Sequence, residues 1–187
     1  MNRLLLRCLL LIVPLLSATP ALAESTDASP QIEVKLYQVD GQPTFEVSAS
    51  LTVNATQEHS WKVLTGYDRL AQFVPNLSDS HVVARDGNRV IVQQTGYAKF
   101  LFIRQPVELR LQVTEQAMQR IDIHRLGGNM VSYEAHWELQ PLPENRTRIA
   151  YSGIIAPDFY VPSLFGPALM RSDLRSMLEA VRSEIEK

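Results

Sequence analysis

From Gln31 the chain alternates with a period of two. Ile32, Val34 and Leu36 interleave with Glu33, Lys35 and Tyr37, "DGQP" turns the chain, and Phe45, Val47, Ala49, Leu51 and Val53 then share one face. One apolar and one polar side is the signature of half-buried strands, here a hairpin. The period then lengthens. "NATQEHSWKVLTGY" offers Asn54 or Thr56 as an N-cap and sets Trp61, Val63 and Leu64 on one side. Asp68 caps a second short segment, "DRLAQFVPN", which Pro75 ends. Both read as short helices leaning on a sheet.

Alternation returns and persists. "SHVVAR" and "RVIVQQTGYAKF" flank Asp86-Gly87-Asn88, a hairpin signal. "PVELRLQVTE" alternates cleanly, "QRIDIHRL" and "MVSYEAHWEL" join through Gly127-Gly128-Asn129, and "TRIAYSGII" follows the "PLPENR" loop. A meander of antiparallel strands with one wet face is expected. Tyr133, Ala135, Trp137 and Leu139 share a side of one strand; Ile149, Tyr151, Gly153 and Ile155 share a side of the next. The last segment changes period again. Pro167 suits a first helical position, and Met170, Leu174, Met177, Leu178, Val181 and Ile185 form one stripe on a helix of about five turns.

The N-terminus stands apart from this pattern. "MNRLLLRCLLLIVPLLSATPALA" has Arg3 and Arg7 in front, an apolar run, and Ala21-Leu22-Ala23 before Glu24. That is the plan of a secretory leader cleaved after Ala23, and Arg7 and Pro14 break the run too early for a comfortable membrane span. Residues 24–30 read as a flexible lead-in and 31–187 as one domain. Losing the two arginines takes the net charge from −2 to −4, so no basic excess is available for nucleic acid. Cys8, the single cysteine, would leave with the leader. An exported chain without disulfides relies on its hydrophobic core, and a bacterial periplasm is the expected location.

The order of elements is that of the helix-grip, START-like fold, and the residues carry a closer resemblance. "ASLTVNATQEHSWKVLTGYDRLAQFVPNLSDSHVV" contains a strand, a tryptophan-bearing helix and the "Y-D-x-L-x-x-F-x-P" spacing at Tyr67, Asp68, Leu70, Phe73 and Pro75. "YEAHWELQPLPENRTRIAYSG" and "LFGPALMRSDLRSMLEAVR" supply the later strands and the arginine-bearing final helix. Over roughly residues 45 to 187 the chain resembles the polyketide cyclase/dehydrase and coenzyme-Q-binding START-like family of the SRPBCC superfamily. The resemblance implies an α+β fold: a curved antiparallel β-sheet wrapped around a long C-terminal α-helix, with two short helices after the first strands. It also implies a cavity for a small hydrophobic or lipid-like molecule, with catalysis in only some branches.

Candidate chemistry is sparse. Tyr97, Trp137 and Tyr151 would either line the cavity and orient a ligand head, or serve as ordinary core. Phe73, within the family spacing, joins them as a candidate lining residue. His59, His81, His124 and His136 contain no close ligand pair, so no metal is expected. If the Gly127-Gly128 turn pairs its flanking strands, Asp122 and His124 lie near Ser132, Glu134 and His136, and a solvated strand face is the expectation there. No nucleophile elbow or phosphate-cradling glycine loop occurs, and no catalytic set or cofactor is expected. A cyclase or dehydratase would instead need Gln94, Tyr97 or Arg104 facing inward with Tyr151. The third alternative is an interaction module of an envelope complex.

"DFYVPSLFGPALM", residues 158–170, is an apolar run broken by Pro162, Gly166 and Pro167. It falls between the last strand and the final helix. Phe159, Leu164, Phe165 and Met170 are expected as a lid or lining that touches lipid transiently, or as a hydrophobic staple seating the helix. The leading expectation is a periplasmic, non-enzymatic carrier of a lipid-like ligand such as an isoprenoid quinone.

Overall fold

The computed structural model describes residues 29–100, 103–161 and 164–187. The leader at 1–23 and nearly all of the lead-in lie outside these described residues. Strands β1 (Gln31–Val39) and β2 (Gln42–Val53) pair antiparallel from Gln31↔Ser50 to Val39↔Gln42. Their turn residues, Asp40 and Gly41, have φ of 50° and 78°. Two consecutive left-handed residues are what a tight type I′ hairpin requires, and Asp-Gly tolerates them.

Helix α1 (Gln57–Leu64) is capped by Thr56, whose side chain accepts the His59 N–H. Asn54 has another task. Its backbone N–H and its Nδ2 both donate to Glu186 Oε1, at 2.8 and 3.3 Å, which joins the end of β2 to the end of the chain. The second short helix is a 3₁₀ helix at Tyr67–Gln72. Asp68 does not cap it. Its carboxylate accepts the Val82 N–H at 2.7 Å, so the residue that looked like a cap is a strut to the next strand.

Six further strands follow: β3 (Leu77–Asp86), β4 (Arg89–Phe100), β5 (Ile103–Gln116), β6 (Arg120–Gly128), β7 (Met130–Leu142) and β8 (Arg146–Pro157). All eight form one antiparallel sheet in the order β1-β2-β8-β7-β6-β5-β4-β3. Register shifts interrupt the ladders between Leu77 and Asp79, Val82 and Ala84, Arg110 and Leu111, and Met130 and Ser132. Bulges of this kind bend strands and curve the sheet.

The β6–β7 ladder is short, running only from Arg120↔Glu138 to His124↔Glu134. Beyond it β6 stays with β5, as Gly128 faces Leu109, while β7 stays with β8, as Met130 faces Pro157. The connecting turn is fastened to β5. Asn129 Oδ1 accepts the Glu108 N–H at 2.8 Å and its Nδ2 donates to Pro106 O at 2.7 Å. Gly128 makes this approach possible. It has φ 108°, and a Cβ there would lie 1.9 Å from Glu108 O.

Helix α2 (Gly166–Ile185) closes the fold by packing on β1, β2 and α1. It buries Leu174, Leu178, Val181 and Ile185, while Met170 and Met177 are only partly covered. On the sheet side Phe45, Val47, Val53 and Ile149 are almost fully buried. Among the described residues no helix is long and apolar enough to cross a membrane.

Candidate ligand-binding cavity

The curved sheet and α2 do not close completely on each other. Between them lies a cavity of about 290 Å³, walled by residues from β4 to β8, the 3₁₀ helix, the 74–77 segment and α2. Apolar side chains dominate: Val92, Leu109, Leu111, Val113 and Ile121 from the sheet, with Leu174 and Val181 opposite. The 74–77 segment reaches the wall because it lies directly on β4. Tyr97 N–H donates to Asn76 O at 3.0 Å, and a Cβ on Gly96 would lie 2.3 Å from that same oxygen.

Polar groups gather toward one end. Tyr97, Tyr133, Gln94 and Asp173 are wall residues near the strand ends that carry the β4–β5 and β6–β7 connections. Gln94 Nε2 donates to the buried Ser80 hydroxyl, its register partner on β3, at 3.2 Å. The ring of Trp137 meets that of Tyr151 at 4.7 Å between centroids, tilted by 53°. Burial pushes both the Tyr133 and Tyr151 phenols above their usual range, and the two phenols lie close enough to influence each other. Phenols in this state act as hydrogen-bond donors and are poor bases.

The other end is held by a charged tie behind the wall. Tyr67, itself a wall residue, donates its hydroxyl to Glu115 Oε1 at 2.9 Å. Arg85 grips the same carboxylate with two bonds of 3.1 and 3.2 Å. Burial first, and then the Glu115 charge, push the Tyr67 phenol far up. The tyrosine and aspartate of the "Y-D" spacing are therefore structural anchors, one to β5 and one to β3.

Of the residues expected from the sequence, Tyr97, Trp137, Tyr151 and Met170 stand on the cavity wall, together with Gln94. Phe73 and Phe159 do not; both pack against the hydrophobic core, Phe73 as the residue that terminates the 3₁₀ helix. Leu164 and Phe165 also lie off the wall and face outward, 82% and 54% exposed. Arg104 is exposed and sits over the outer face of Tyr97, 4.4 Å from the ring centroid, rather than facing inward with Tyr151.

The wall also holds residues not expected there as site candidates, among them Tyr67, Tyr133 and Asp173. Tyr133 was signalled by its alternation with Trp137. Asp173 was signalled by its spacing of three and four from Met170 and Met177. On the outer face of the sheet, Asp122 pairs with His136 and His124 with Glu134 in register. Arg120 occupies this surface, bonded to Asp122 at 2.7 Å and to Glu138 at 2.6 Å. Among the described residues no three His, Cys, Asp or Glu side chains converge on a metal-sized site.

The family described as polyketide cyclase / dehydrase and lipid transport matches residues 53–182. The chain belongs to this family. The match begins at the end of β2 and runs through most of α2, so it contains every wall residue of the cavity. Among curated proteins none matches the chain. Solved structures share the fold at low identity. A STAR-related lipid transfer protein from Xanthomonas axonopodis is 16% identical with a TM-score of 0.68, covering 83% of this chain and 94% of its own. A START superfamily protein from Mycobacterium smegmatis is 16% identical with a TM-score of 0.65, covering 75% of this chain and 97% of its own. The Zhui aromatase/cyclase from a Streptomyces species is 15% identical with a TM-score of 0.58, covering 76% and 94%. The family thus holds a hydrophobic-ligand-binding fold of the START-like, helix-grip type.

Proposed function

We propose that this protein is an exported carrier that takes one lipid-like molecule into the cavity between the sheet and α2. The carrying observation is the cavity itself, about 290 Å³ and walled mainly by aliphatic side chains. Small-molecule sites span roughly 300–1,000 Å³, so this one suits a head and the first part of a tail. An isoprenoid quinone would fit with its ring and nearest isoprenoid units inside and the remaining chain outside. The leader pattern at 1–23 supports action in a bacterial periplasm.

Delivery would involve a transient touch on the bilayer. Tyr160, Leu164 and Phe165 are exposed immediately before α2, and Arg171 follows within its first two turns. Apolar tips beside a basic residue suit the lipid headgroup boundary. The carrier reading is tested by purifying the protein from its native compartment and analysing an organic extract by mass spectrometry. A stoichiometric lipid species is expected. Protein that emerges empty and takes up no apolar fluorescent probe would overturn the reading.

A further inference from the structure

Among the described residues the cavity wall carries one charged side chain, Asp173. It projects from α2 between Met170 and Met177, half-buried and flanked by aliphatic groups, and among the described residues it makes no hydrogen bond or ion pair. Lys99, at the end of β4, acts on it only through its electrostatic field. A carboxylate facing an apolar chamber is costly unless something binds it, and here no side chain does.

The surroundings give this carboxylate a direction. Gln94 and Tyr133 share its end of the cavity, whereas Leu64, Val113 and Val181 line the other; the Tyr97 hydroxyl is turned away, toward Arg104. The Tyr67 hydroxyl at that other end is turned to Glu115 behind the wall, so the chamber is polar at the Asp173 end and mainly apolar at the other. Burial raises the Asp173 carboxyl above its ordinary value, in keeping with a group that lacks a partner.

Resting on the carrier reading above, we infer that the ligand's polar head lies at Asp173 and carries a hydrogen-bond donor, a hydroxyl or an amine. The Asp173 carboxylate accepts that donor, and the tail runs toward Leu64 and Val181. Anionic heads, such as the carboxylate of a fatty acid, are rejected by like charge. Within the quinone class, the same chemistry selects the hydroquinone, which has hydroxyl donors, over the oxidised quinone, which has only acceptors.

Displacement of diphenylhexatriene from the full protein by decanol, decylamine and decanoate tests this. The wild type should prefer the alcohol and the amine to decanoate by about tenfold or more, the scale of one charge-assisted hydrogen bond. Asp173→Asn keeps an acceptor and removes the charge, so it should bring decanoate close to decanol and weaken decylamine. Asp173→Leu should weaken decanol by about tenfold while still binding diphenylhexatriene, which also shows that the variant is folded. The same ranking in all three proteins, or tightest binding of decanoate by the wild type, would overturn the head-group assignment and leave the carrier reading standing. Failure of the wild type to bind diphenylhexatriene would remove the carrier reading, and this inference with it.

Discussion

The hydroxyl of Tyr67 donates to Glu115 behind the far end of the cavity wall at 2.9 Å, and Arg85 holds the same carboxylate from outside. One carboxylate thus fixes the 3₁₀ helix to both β5 and β3. Tyr67→Phe removes one bond to a charged acceptor and should cost about 2 kcal/mol in chemical denaturation. Glu115→Ala should cost more, since it leaves the Tyr67 hydroxyl and the Arg85 guanidinium without their partner. A Tyr67→Phe protein as stable as the wild type would show that the tie is dispensable.

Alkaline stability should follow from the tyrosines. Tyr67, Tyr133 and Tyr151 have phenols raised in the folded chain, so above their ordinary value near 10 the unfolded chain releases protons that the folded chain retains. Stability is complete below about pH 10 and falls as pH rises beyond it. Phenolate absorbance should therefore gain the share of these three residues only as circular dichroism reports unfolding. Smooth ionisation of all six tyrosines with the fold intact would contradict this.

Gly153 lies opposite Ala135, beneath the aromatic residues of β7 and β8. An added Cβ would fall 2.5 Å from Glu134 O and 3.1 Å from the Ala135 Cβ. Gly153→Ala should lower stability by about 1–3 kcal/mol, because backbone must move. Gly127, whose Cβ would meet only Arg110 Cβ at 4.0 Å, is the control, and Gly127→Ala should change the denaturation midpoint little.

The two tryptophans can be told apart by ligand. Trp137 is on the cavity wall, and Trp61 is buried in α1 off that wall. Adding decanol should shift the emission of Trp61→Phe protein and leave that of Trp137→Phe protein unchanged. A response from Trp61 alone would place the ligand elsewhere.

Phe165 and Leu164 should separate binding from stability. Both side chains are largely exposed, so Phe165→Ala should alter folding free energy by no more than about 0.5 kcal/mol. Its effect should appear in the rate of probe transfer to lipid vesicles. A large stability loss with unchanged transfer would assign Phe165 to seating α2.

The strand faces and the α2 stripe were readable because alternation of apolar and polar residues survives wherever one face is buried. Val47, Leu111, Trp137 and Leu178 were all placed this way. Asp68 was misread because a short acidic side chain before a turn looks the same whether it caps its own helix or reaches Val82. Asp173 was missed for a related reason. On an amphipathic helix a charged residue beside the stripe reads as solvated, and only the gap between α2 and the sheet turns that position inward. Phe159, Leu164 and Phe165 form one greasy run in sequence. Their division between core and surface depends on where the chain bends, which composition does not encode.

The short ladder between β6 and β7 makes the sheet a pair of four-stranded leaves bound along a narrow spine. One leaf is β3-β4-β5-β6, the other β7-β8-β2-β1, and α2 is pressed against the second. The cavity wall draws on both leaves. A rotation of the leaves about that spine would leave the long ladders within each leaf intact and strain few backbone hydrogen bonds.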